Sequence, residues 1–198
     1  MDRLDYLCRD SFYTGVREGT IGAERLIKML QVEDDCLAVD AKGIYTVENY
    51  LMARRLMDWQ VYLHKTAVAG EETLRLALQR AKELSANGEK LFASPALSHF
   101  LTKNITVEEF EDNPNHLDMY AQLDDSDILC AMKVWQNSDD LILSILASNF
   151  VNRHFFKVEI CTGGVDKERV WNYKQEIVQR LGVSITDADY FVRTVAAQ

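Results

Sequence analysis

The chain has 198 residues, 47% of them hydrophobic and 27% charged, with only 2 prolines and 9 glycines. This is an ordinary globular composition with enough apolar content for a sizeable core, and it excludes long low-complexity linkers. The formal net charge of -9 disfavours a DNA or RNA binder, because an acidic body repels phosphates, but it leaves room for a nucleotide in a locally basic pocket.

In chain order, Leu4 to Thr14 has helical patterning that Gly15 can close, and Gly22 to Leu30 predicts a short helix with Leu26, Ile27 and Leu30 inward. Gln31–Glu33 and Cys36–Asp40, on either side of Asp34-Asp35, predict a β-hairpin. Thr46 suits the N-cap of a long helix in which Val47, Tyr50, Leu51, Leu56, Trp59, Leu63 and Thr66 follow helical spacing. A second long helix is predicted over Ala67–Ala86, ended by Asn87-Gly88. Pro95 opens a short helix over Ala96–Leu101, and the polar stretch Asn104–Asn115 predicts a loop with one helical turn. Asp124, Asp125 and Ser126 offer N-caps for a helix through Trp135, and Ser138 and Asp139 do so for a helix over Asp140–Asn152. Phe155–Cys161 alternates like a strand, Gly163-Gly164 turns the chain, and Asp166–Leu181 is an amphipathic helix ended by Gly182. Asp189–Val195 predicts a final strand. The expected fold is mainly α, with a β-hairpin and a small α+β tail. A soft boundary near Asn152 divides it into 1–152 and 153–198.

Cys8, Cys36, Cys130 and Cys161 form no CxxC pair, so they read as free thiols in a reducing compartment. There is no basic N-terminal region followed by an apolar run, and no apolar stretch reaches the roughly 18 residues of a membrane span. A cytoplasmic location without membrane contact is expected. His99, His116 and His154 lie at no metal-ligand spacing, and HExxH, P-loop, GxGxxG and GxSxG motifs are all missing. Asp124-Asp125-Ser126-Asp127 is acidic like a calcium loop but lacks its glycine and its distal Glu, which leaves helix capping as its role.

Two clusters could carry chemistry. Asp2, Tyr6 and Asp10 recur every fourth residue, which puts two carboxylates and a phenol on one helical stripe, flanked by Arg3 and Arg9. Such a stripe can offer a carboxylate to a divalent metal, hydrogen bonds to a sugar hydroxyl and a guanidinium fork to a phosphate. A solvated helix start with acidic residues favouring the dipole fits the same spacing. Arg54, Asp58 and Tyr62 repeat the pattern, with Arg55, His64 and Lys65 close in sequence. Here a plain Arg–Asp helix pair beside a core-edge tyrosine also fits.

The opening "MDRLDYLCRDSFYTGV" resembles a segment of the HD-superfamily phosphohydrolases related to deoxynucleoside triphosphate triphosphohydrolases (dGTPase-like enzymes). "VENYLMARRLMDWQVYLHKT" is similar to that family's long helix, and "LDDSDILCAMKVW" and "LILSILASNFVNRHFFKVEI" to its later helix pair and the strand entry that follows. The resemblance runs from Asp2 to about Ile160. It implies a helical fold, homo-oligomers, a (deoxy)nucleotide substrate and a divalent metal (Mn, Mg, Fe, Ni or Zn). By the same resemblance Asp2 is the family's distant Asp metal ligand, and Arg3 and Arg54 contact phosphates. Tyr6 and Asp10 recognise the sugar 3′-hydroxyl, and Tyr62 lies beside sugar and base.

The family's remaining ligands, a His and an adjacent His-Asp pair, have no counterpart here and would precede Asp2. Family members often carry Val where this chain has Met1, which implies a GUG codon read as a start. They also continue past a segment like Tyr190–Val192. The expectation is therefore a C-terminal fragment of a metal-dependent (d)NTP phosphohydrolase, inactive alone, with metal bound only in the full-length enzyme. The alternative is a non-catalytic helical interaction or oligomerisation module.

Overall fold

A computed structural model describes residues 2–161 and 163–195. The fold is mainly α: among the described residues there are ten α-helices and one two-stranded antiparallel sheet. The chain gathers into two compact units, Met1–Val68 and Ala69–Gln198.

The first unit opens with α1 (Asp2–Thr14), a single-turn helix Arg17–Gly19, and α2 (Ala23–Lys28). A hairpin follows, β1 (Leu30–Glu33) and β2 (Cys36–Val39), in the register Leu30↔Val39 to Glu33↔Cys36. Its two-residue turn is Asp34-Asp35, both at positive φ (50° and 61°). Such a turn matches the right-handed twist of the strands, and Asp tolerates that backbone region better than most residues. Then come α3 (Ile44–Met57) and a wide π-type turn, Asp58–Tyr62, in which the Leu63 amide bonds the Asp58 carbonyl at 2.7 Å.

Leu4 and Leu7 of α1 and Ala53 and Met57 of α3 are buried. Gly19 lies between them: a Cβ there would stand 2.5 Å from Met57 Sδ and 2.9 Å from Ser11 Cβ. Gly19→Ala is therefore expected to cost about 1–3 kcal/mol through overpacking, read as a lower midpoint in urea unfolding.

The second unit holds most of α4 (Lys65–Ala86), then α5 (Pro95–Thr102), α6 (Val107–Asp112), α7 (Pro114–Ala121), α8 (Asp125–Trp135), α9 (Leu141–Val151) and α10 (Lys167–Leu181), ending in a short helical turn, Asp187–Tyr190. Its core joins Leu76, Ala77, Ala81 and Leu84 of α4, Leu97 and Leu101 of α5, Met132 and Trp135 of α8, and Leu143 and Leu146 of α9. Helix ends follow their local chemistry. Asp124 and Asp127 form a reciprocal capping box on α8, Asp140 caps α9, Asp166 caps α10, and Gly182 closes α10 at φ 68°.

Several elements differ from the sequence expectation. α3 begins at Ile44, so Thr46 lies inside the helix and caps nothing. The inward face of α3 is Ala53 and Met57, whereas Leu51 and Trp59 are exposed, because small residues let α1 and the Arg17–Gly19 turn approach closely. Ile27 is likewise exposed. The stretch expected as loop, Asn104–Asn115, carries α6, started by a Thr106–Glu109 capping box, and the start of α7, capped by Asn113 with Pro114. The α9 cap is Asp140, one residue beyond Ser138 and Asp139. Neither tail strand forms among the described residues: Phe155–Cys161 is irregular, and Asp187–Tyr190 is helical where a strand was expected to begin at Asp189. Alternating β-branched residues make a strand only where a neighbouring strand is available to pair with.

Candidate functional site

Both clusters singled out in the sequence lie in the first unit, on α1 and on the end of α3 with its π-type turn. Their meeting point is a hydrogen bond from Tyr62 Oη to Asp10 Oδ2, 2.6 Å long, between residues fifty-two positions apart. The Tyr6 ring stands edge-on to Tyr62, with centroids 6.0 Å apart. Tyr6, Asp10 and Tyr62 thus form one group. The wide turn makes this possible, because an extra residue in the turn rotates the chain that follows it. The regular stripe Arg54–Asp58–Tyr62 expected from spacing is broken at the same place.

Burial pushes the Tyr62 phenol well above its ordinary range, and the bond to the Asp10 carboxylate pushes it further. Tyr62 is therefore a protonated donor at any physiological pH, and Asp10 is the acceptor. Asp10 keeps a second carboxylate oxygen for another partner.

Arg54 faces Asp58, with Nε 4.0 Å from Oδ2 and both side chains substantially exposed, a weak pair that leaves the guanidinium free to bind elsewhere. Arg9 pairs with Asp5 at 2.5 Å rather than with the Asp2–Asp10 stripe. Asp2 and Arg3 are exposed and stand at the wall of a cleft of about 400 Å³, completed by Leu4, Leu26, Leu30, Leu37 and Tyr50. The cleft is mainly apolar, with one carboxylate and one guanidinium. Tyr50 and the hairpin leucine Leu37 are lining residues the sequence did not point to. Nothing in local spacing brings a hairpin side chain beside the first helix.

Among the described residues Asp2 has no companion ligands. Among the described residues no group of three or more His, Cys, Asp or Glu could hold a metal ion. The residues present do not fit a catalytic metal centre by themselves. No helix is long and apolar enough to cross a membrane, among the described residues.

Residues 21–94 match the family model described as the HD associated region. This stretch covers the hairpin, all of α3 with its π-type turn, and α4. The chain is also similar, at 53% identity and a TM-score of 0.90, to the crystal structure of a phosphohydrolase from Bacteroides thetaiotaomicron, over 96% of this chain and 47% of that one. It is 35% identical over 159 residues to the uncharacterized protein YwfO of Bacillus subtilis, covering 79% of this chain and 34% of the relative. An uncharacterized protein of Mycoplasma pneumoniae is 30% identical over 175 residues, covering 80% of this chain and 38% of its own length. Residues 21–94, then, are similar to the HD associated region, and by fold the chain is like nearly half of a phosphohydrolase. It spans a little over a third of the length of the curated relatives it matches.

Proposed function

We propose that this chain is the substrate-contacting part of an HD-type, metal-dependent phosphohydrolase that acts on a (deoxy)nucleoside triphosphate. The observation that carries the reading is the Tyr62–Asp10 hydrogen bond with Tyr6 packed against it. It fixes one carboxylate oxygen and leaves the other to accept from a ligand hydroxyl, as selection of a sugar 3′-hydroxyl requires. Arg54, weakly paired, and Arg3 at the cleft would take phosphate oxygens. The likeness to a phosphohydrolase of about twice this length supports the same class.

Asp2 would be this chain's single metal ligand. One exposed carboxylate does not retain a catalytic ion, so the remaining ligands would come from polypeptide outside these 198 residues. The chain alone is then expected to bind nucleotide weakly and to hydrolyse nothing. A homo-oligomeric enzyme in the cytoplasm is part of the same proposal.

A second reading, a helical interaction or oligomerisation module, draws on the large aromatic side chains that the first unit leaves exposed: Phe12, Tyr13, Tyr45 and Trp59 are each 73–80% accessible.

The test is a phosphohydrolase assay with manganese or magnesium and a panel of dNTPs, on this chain and on the longest reading frame that contains it. The expected result is turnover by the longer protein only, abolished by Asp2→Ala. Asp10→Ala should lower kcat/KM on the order of 10–100-fold, and Tyr62→Phe, which removes only the donor to Asp10, by about tenfold or less. If no frame longer than this chain exists and the chain binds no nucleotide, the enzyme reading fails and the interaction module replaces it.

A further inference from the structure

Two histidines outside the candidate site face each other directly. His99 Nε2 on α5 and His116 Nδ1 on α7 are 2.8 Å apart, and His116 is only 8% exposed. The far nitrogen of His116, Nε2, meets Asn113 Nδ2 at 3.5 Å. Phe110 of α6 stacks on His116, and Phe100 stands edge-on to His99. The pair therefore ties α6 and α7 to α5.

The proton positions follow from Asn113. Its Oδ1 accepts from the Asn115 amide at 3.1 Å, because Asn113 is the N-cap of α7. The amide NH2 must then be the end presented to His116, which makes His116 Nε2 an acceptor. His116 therefore carries its proton on Nδ1 and donates to His99 Nε2, and His99 holds its own proton on Nδ1. Every contact is satisfied with both rings neutral. A proton added to His99 Nε2 would point at the Nδ1–H of His116, 2.8 Å away. A proton added to His116 Nε2 would point at the amide hydrogens of Asn113, which cannot flip without uncapping α7.

We propose that the His99–His116 pair is an acid-sensitive latch: α6 and α7 stay docked on α5 while both rings are neutral, and protonation of either ring releases the Thr106–Ala121 segment.

The charges around the pair do not offset this conflict. From α5, Lys103 lies close to His99 and adds repulsion. From α6, Glu109 is engaged by the Thr106 amide, and no carboxylate of α6 is among the charges acting on His99. From α7, Asp118 pairs with neither ring, and Tyr120 meets Phe100 and Phe110 instead. From α8, which packs on α5, Asp127 is held by Ser94 and by its own capping box. Burial first, then Lys103 and His116, lowers the affinity of the His99 ring for a proton below the ordinary imidazole value of 6.5. The docked state then binds fewer protons than the open one. Docking is fully stable above the ordinary imidazole pKa and weakens as pH falls from there toward the lowered value.

The experiment is amide hydrogen exchange on the whole chain, with NMR titration of the imidazoles, between about pH 7.5 and about pH 5.5. Corrected for intrinsic pH dependence, exchange in residues 106–121 is expected to rise several-fold on acidification while α8 and α9 stay protected. The double variant His99→Gln/His116→Gln should show exchange in that segment that no longer depends on pH. Retention of the pH dependence in the variant would overturn the latch. So would a native chain in which both rings titrate at the free imidazole value and protection is unchanged, a result that does not rely on how the variant folds.

Discussion

Trp135→Ala is expected to destabilise the second unit by about 3–5 kcal/mol, enough to leave it largely unfolded if its total stability is ordinary. Trp135 is 2% exposed and is the largest fully enclosed side chain in the molecule's core. It stands at the end of α8 among Leu143 and Leu146 of α9 and the α4 and α5 leucines. Its indole Nε1 donates to the Phe92 carbonyl at 2.9 Å. That bond fastens the segment between α4 and α5 to α8, so truncation removes packing and also orphans a backbone acceptor. Trp135→Phe separates the two contributions: it keeps most of the volume and loses the donor, with an expected loss of about 1–3 kcal/mol. Equilibrium urea unfolding followed by far-UV circular dichroism measures both. A Trp135→Ala chain as stable as the native one would mean that the four-helix contact is not the core.

The helical class was legible because strong local signals agree with the packing. The capping box of Asp124 and Asp127, the Asp166 cap and Gly182 each mark a helix end that the fold uses. The hairpin was legible for the same reason, since Asp34-Asp35 can adopt the turn its strands need. The tail strands were not, because Phe155–Cys161 has the right alternation but no partner among the described residues, and pairing is a tertiary fact. The face of α3 was misread because Ala53, Met57 and Gly19 make contact by being small or flexible rather than by hydrophobic periodicity.

At the site, spacing put Asp10 and Tyr62 on separate stripes, and the family resemblance gave each a role. Neither source indicated that Tyr62 donates to Asp10. That bond depends on the π-type turn at Asp58–Tyr62, which no residue in the segment announces. His99 and His116 were invisible as a pair for a related reason. They sit on different helices, and the second of these, α7, was not expected: it begins at the end of the stretch Asn104–Asn115 expected as loop.

Arg80→Ala carries the second large expected loss, about 3 kcal/mol, and its pH dependence distinguishes it from a packing defect. Arg80 on α4 makes a two-pronged bond to Asp140, Nε to Oδ1 at 3.1 Å and Nη2 to Oδ2 at 2.6 Å. Both side chains are at least four-fifths buried. Asp187 lies 3.7 Å from the same guanidinium, which also sits over the Tyr190 ring. One cation therefore holds the cap of α9 and the final helical turn against α4. Burial pushes the Asp140 carboxyl up, but Arg80 and the Leu143 amide outweigh it and hold the carboxyl below the usual carboxylate range. In the native chain this contributes stability that is present above the unfolded carboxylate pKa, about 3.9, and is lost as pH falls through the lower folded value. Removing Arg80 leaves burial with the α9 amides as its main opposition, so the Asp140 carboxyl titrates higher than in the native chain. The deficit of Arg80→Ala should be largest near neutral pH, shrink as pH falls through the variant's raised Asp140 value, and vanish only as pH falls through the native carboxyl's own lowered value, where the native chain loses the same charge pair. A cavity would give a deficit independent of pH. Urea unfolding of both proteins across that range distinguishes the outcomes, and a constant difference would show that Arg80 acts through its aliphatic stem and not through Asp140.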